Sequence, residues 1–144
     1  MKREIHGVFG RRVGELARLW RGAIDRELRP VGLSFMQWLT LSQLAESGAD
    51  LVQKDLAARM AVEGSAMVAI LDRLVTADLV ERRVSATDRR ANTVHLTSTG
   101  HAMLGNAELA MDAVRGRLLA DLDESALVET GAVLEHIIER ARGS

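Results

Sequence analysis

The 144-residue chain has no cysteine, no tyrosine, one proline (Pro30) and only four aromatic residues, Phe9, Trp20, Phe35 and Trp38. Without cysteine there is no disulfide framework, no thiol redox chemistry and no thiolate-bound zinc. So few aromatics and prolines argue against an all-β architecture. No apolar run approaches the length that crosses a bilayer. The N-terminal stretch MKREIHGVFGRR lacks the continuous apolar core of a secretory signal, so a cytoplasmic location is expected. Catalytic signatures are missing too. His6, His95, His101 and His136 form no HExxH pattern, and His101 and His136 could meet only across an interface. Gly7, Gly10 and Gly14 follow no strand and have the wrong spacing for a nucleotide loop. No serine lies in a GxSxG context. Neither an enzyme, nor a metal, nor a cofactor is expected.

The composition that remains, 47% hydrophobic and 27% charged, is that of one soluble globular domain. The net charge of −1 hides a segregation. Residues 1–30 carry eight basic against four acidic side chains, and residues 101–144 carry four against eight. Of the 19 basic residues 17 are arginine, whose rigid fork of donors suits planar and phosphate groups. Arg82, Arg83, Arg89 and Arg90 cluster within nine residues.

Periodicity places the elements. Val13, Ala17, Trp20, Ile24 and Leu28 predict an amphipathic helix over roughly 10–29, stopped by Pro30. Ser34 and Gln37 form a capping box that opens a second helix, burying Phe35, Trp38, Leu41 and Ala45 and ending near Gly48. Residues 51–60 (LVQKDLAARM) read as a short helix with Leu56, Ala57 and Met60 inward. A break at 61–64 follows. The next helix, about 65–77, has Val68, Leu71, Leu74 and Val75 on its inner face. Ser65, Ala66, Ala69, Asp72, Arg73 and Thr76 lie on its outer face. The period then changes to two. Val80, Arg82 and Val84 form one short strand, Val94 and Leu96 another, with an eight-residue, mainly polar stretch, SATDRRAN, between them. Thr97 caps a long helix to about Ala120, and a last helix carries Leu127, Leu134 and Ile138 on one stripe.

Two short helices followed by a β-hairpin make a winged helix-turn-helix, mainly α with a small hairpin. The winged unit spans about 31–97, flanked by helices at about 1–30 and 98–144 whose apolar stripes call for a homodimer. In a helix-turn-helix the second helix enters the DNA major groove with its first residues against base edges. Here these are Ser65, Ala66 and Ala69, small enough for close approach and suited to thymine methyls, with Arg73 the long donor on the same face. The hairpin tip carries Asp88, Arg89 and Arg90, and arginine on a protruding loop fits a narrow minor groove. Asp88 would repel phosphate unless it pairs with a neighbouring arginine and fixes its direction.

Three stretches carry a family resemblance: LARLWRGAIDRELRPVGLSFMQWLTLSQLAE (16–46), KDLAARMAVEGSAMVAILDRLVTADLVERR (54–83) and SATDRRANTVHLTSTG (85–100). The chain resembles the MarR family of bacterial transcription regulators, and within it the SlyA-like group. The resemblance implies a homodimer built from the terminal helices, a pseudo-palindromic operator, and usually repression relieved by a small, often aromatic, acid. Asp88 and Arg90 match the family's wing pair; Ser65, Ala66 and Ala69 match its base-reading positions. That family commonly has polar residues or arginine where Ala66 and Ala69 stand, and glycine where Asp78 stands. Arg18, Trp20, Trp38 and Ser42 form a candidate effector set: aromatic walls, a hydroxyl and a cation for a carboxylate. A second class, a dimeric winged-helix module that binds protein, fits the near-neutral charge, since fold alone does not decide function.

Overall fold

A computed structural model describes residues 1–48 and 51–144. Helix α1 runs Lys2–Leu28, starting about eight residues before the roughly 10–29 that its apolar pattern predicts. Glycines 7, 10 and 14 weaken the local helix signal there, and no side chain before Ala23 is buried. A 3₁₀ turn at Arg29–Val31 holds Pro30, and Gly32 turns the chain with φ +88°. Helix α2, Phe35–Ser47, opens on the expected box: the Gln37 N–H donates to Ser34 Oγ (3.2 Å) and the Ser34 N–H to Gln37 Oε1 (2.9 Å). Asp25 Oδ1 accepts the Phe35 N–H at 3.1 Å, tying α2's first turn to α1. The buried side chains of α2 are Thr40, Leu41 and Leu44. Ala45 is exposed, contrary to the sequence reading, and Phe35 and Trp38 are half-buried.

Leu51–Val52 is not helical. It forms strand β1, which pairs antiparallel with β3 (Leu51 opposite Val94) and enlarges the hairpin to a three-stranded sheet of order β1-β3-β2. Helix α3, Gln53–Arg59, buries Leu56 and Ala57 and ends at the half-buried Met60. Helix α4, Gly64–Thr76, buries Met67, Leu71 and Leu74, each worth roughly 1.5–3 kcal/mol of apolar burial. Val68 and Val75, expected inside, are 41% and 38% exposed. The inner stripe follows the spacing 67–71–74, and each valine stands one residue, about 100° around the helix, beyond Met67 or Leu74. Strands β2, Val80–Val84, and β3, Asn92–Leu96, pair with Arg82 opposite Val94.

Helix α5, Ser98–Leu119, starts where Thr97 Oγ1 accepts the Gly100 N–H (2.9 Å), and it buries Ala107, Met111 and Val114 against α1 and α2. Helix α6, Glu124–Arg142, is capped by Asp123. The Ser125 hydroxyl, and then the Ala126 N–H, hold the Asp123 carboxyl below the usual carboxylate range. This cap therefore holds at neutral pH and is lost as pH falls through that depressed value. Helix α6 buries no residue: Leu127 and Leu134 are half-buried, while Val128, Val133, Ile137 and Ile138 face outward. No described helix is long and apolar enough to cross a membrane.

Candidate nucleic-acid interface

The outer face of α4 is open along its length: Ser65, Ala66, Ala69, Asp72, Arg73 and Thr76 are all exposed, and Val68 joins them. Between Gly64 and Asp72 this face has no amide or guanidinium. It offers one hydroxyl, from Ser65, and the methyl groups of Ala66, Val68 and Ala69. Such a surface contacts thymine methyls more readily than it makes bidentate pairs with guanine or adenine. Asp72 would set a negative charge among the phosphates, but Arg82 Nη2 reaches its Oδ1 at 2.7 Å. Arg82 Nε also donates to Gln53 Oε1 at 3.2 Å.

The wing tip orders itself with its own hydrogen bonds. Ser85 Oγ accepts the N–H groups of Thr87 and Asp88, each at 3.3 Å, and the Ser85 N–H donates to Ala91 O at 3.0 Å. Asp88 Oδ1 accepts the backbone N–H of Arg90 at 2.9 Å. The expected partner was an arginine side chain; among the described residues no ion pair reaches Asp88. Asp88 thus shapes the turn rather than a guanidinium, and Arg89 and Arg90 are left exposed with their charges free to meet phosphate. Arg83 differs, since it is paired with Glu81 two residues away.

All four aromatics gather elsewhere, around two spaces that Trp20 lines in common. Phe9, Trp20 and Phe35 line an apolar groove of about 810 Å³ with Val13, Leu134 and Ile138. Arg21 lies over the Phe35 ring, 4.4 Å from its centre. Trp20 and Trp38 share a small cavity of about 50 Å³ with Ile24, Met111, Val114 and Arg115. Trp38 Nε1 donates to Glu108 Oε1 at 3.4 Å, and Arg115 Nη1 lies 3.5 Å from Glu108 Oε2. Of the candidate effector set, the two tryptophans come together, and the cation beside them is Arg115 rather than Arg18. Arg18 is exposed and lines neither space. Ser42 Oγ is buried without a hydrogen-bond partner among the described residues.

Sequence reasoning named Arg82 only as part of the arginine cluster, placed Val68 inside, and missed Gln53 and Arg115. For Arg82 a signal existed: it shares a strand face with Val80 and Val84, where a charge needs a partner. For Arg115 nothing local distinguished it from other helix-surface arginines.

A family model described as MarR family matches residues 31–91, the helix-turn-helix with the first strand and the tip of the wing. The solved structure of transcriptional regulator PA3341 is 33% identical, the match covering 94% of this chain and 99% of that one with a TM-score of 0.84. CouR from Rhodococcus jostii RHA1, solved with p-coumaroyl-CoA, is 25% identical over 90% of each chain, with a TM-score of 0.80. A mutant MarR from E. coli in complex with operator DNA shares the fold at 22% identity and a TM-score of 0.81, covering 89% of this chain and 91% of that one.

Proposed function

The chain belongs to the MarR family of transcription regulators, and on that premise we propose that it is a homodimeric repressor of a pseudo-palindromic operator. The observation that carries this is the joining of the open face of α4 to the wing through Arg82 and Asp72. A methyl-bearing helix for the major groove and an arginine tip for the minor groove then form one connected surface. Ser65, Ala66, Val68 and Ala69 meet base edges; Arg73, Arg89 and Arg90 meet phosphate or the minor groove, and Asp88 holds the tip.

The dimer reading rests on α1 and α6. Ile5, Val8, Phe9 and Leu16 on α1, with Val133 and Ile137 on α6, are exposed along the two helices that border the large groove. A two-fold partner laying its own terminal helices there would bury a self-complementary apolar patch, as symmetric dimers do.

The effector in this reading is a small aromatic acid. CouR holds an aromatic acyl thioester, and this chain clusters its aromatics beside Arg21 and Arg115. The Trp20–Trp38 cavity has room for little more than one water. An acid therefore enters as the cavity opens into the groove that Trp20 also lines, and a ligand favouring the opened dimer shifts the population away from the DNA-bound spacing.

Repeated selection from a random-sequence duplex pool tests the core of the reading. It should enrich a two-fold symmetric site with half-sites about one helical turn apart. Arg90→Ala should bind that site more weakly, with a salt slope lower by about one. A pool that stays unenriched overturns the DNA-binding reading.

A further inference from the structure

We propose that Arg82 is the positioning residue of the DNA interface, setting the angle between α4 and the wing so that both reach their grooves together. This rests on the DNA-binding reading above. The geometry is specific. Arg82 lies on β2, the strand that leads into the Arg89–Arg90 tip. Its Nη2 bonds Asp72 on the outer face of α4 at 2.7 Å, and its Nε bonds Gln53, the first residue of α3, at 3.2 Å. One guanidinium thus touches both helices of the helix-turn-helix and the strand of the wing.

The rest of the interface gives the tie its purpose. The wing strands run on past β1, which pairs only with Thr93 and Val94: Val84, opposite Asn92, is exposed, and among the described residues Arg82 is the last β2 side chain before the tip with a partner on α3 or α4. Beyond the β2–β3 ladder, the bonds of the loop among the described residues are its own, from Ser85 and Asp88. The root of the wing therefore transmits its direction to Arg89 and Arg90. The Arg82 side chain is 26% exposed and that of Asp72 59%, so the pair is a solvent-screened one whose worth lies in its geometry more than in its Coulomb energy. Two donors in a fixed fork also hold an angle that a single ammonium cannot.

A role through position differs measurably from a role through direct phosphate contact. The probe is the duplex selected by the wild-type protein, read by affinity against salt and by hydroxyl-radical protection of the minor groove. Arg82→Ala should weaken binding by about tenfold and erase protection at the flanks where the wing lies, while protection at the α4 contacts persists. Arg82→Lys should lose the same flanking protection, because the charge remains but the fork is gone. With the tip neutralised by Arg89→Ala and Arg90→Ala together, and with Asp72→Asn removing the carboxylate that Arg82 neutralises, adding Arg82→Ala should cost nothing further. The proposal is overturned if Arg82→Lys keeps the full footprint. It is equally overturned if Arg82→Ala lowers the affinity of this tip-neutral, Asp72→Asn chain again and reduces its salt slope by about one more, since Arg82 is then itself a phosphate contact. Should Arg82→Ala fail to fold in a thermal melt, the lysine variant decides alone. A wild-type chain that selects no duplex refutes the DNA-binding reading instead, so the two failures are distinct.

Discussion

Gly100 stands so close to Leu79 that a methyl group on its α-carbon would sit 2.0 Å from the Leu79 carbonyl oxygen. The same corner is pinned twice more, by the Thr97 N–H donating to Leu79 O (3.1 Å) and by the Thr97 hydroxyl donating to Asp78 O (2.5 Å). Here α5, a helix of the proposed dimer body, is fastened to the end of α4. The contacting atom is backbone and cannot swing away. Gly100→Ala should therefore destabilise the fold by roughly 3 kcal/mol, the upper range for overpacking. Denaturant unfolding measures this; a midpoint within error of wild type would mean that the corner yields freely.

Two non-glycine residues occupy left-handed backbone, Ala61 in the turn between α3 and α4 (φ +51°) and Asp78 after α4 (φ +57°). Alanine has no polar atom to offset that conformation, whereas aspartate tolerates it better. Ala61→Gly should stabilise the protein by about 1 kcal/mol, and Asp78→Gly by less. Thermal melts of the two variants give the order, and a larger gain from Asp78→Gly would contradict it.

Ser42 buries a hydroxyl with no partner among the described residues. Leaving such a group dry costs about 1–3 kcal/mol, so Ser42→Ala should raise stability by about 1 kcal/mol. A fall in the unfolding midpoint would show that the hydroxyl is satisfied in solution.

The methyl-rich face of α4 predicts the chemistry of the operator. Replacing thymine with uracil in the selected duplex removes only the C5-methyl group. Each methyl that α4 covers should be worth about 0.8 kcal/mol, or roughly fourfold in affinity. Val68→Ser should bind the thymine and uracil duplexes more nearly alike. Equal binding of both duplexes by the wild-type protein would remove methyl contact from the recognition mechanism.

Much of this architecture was written in local pattern. The capping box at Ser34 and Gln37, the cap at Thr97, the change of period after Ala77 and the polar loop carrying Asp88, Arg89 and Arg90 depend on neighbours within a few residues, so the chain alone determined them. The order of elements followed, and with it the winged helix-turn-helix. Other features waited for tertiary structure. Leu51–Val52 is too short to signal a strand and becomes one because β3 supplies its hydrogen-bond partners. On α4 both valines and Met67 suit an inner stripe by hydropathy; packing against the rest of the core chose Met67, Leu71 and Leu74 and turned Val68 outward. Asp72, Arg82 and Gln53 meet only when two helices and a strand converge. Arg115, not Arg18, reaches the tryptophans because α5 rather than the outer face of α1 closes that cavity. Caps and periods are short-range and survive in the unfolded sequence as pattern, whereas a partner across the fold exists only once the elements have packed.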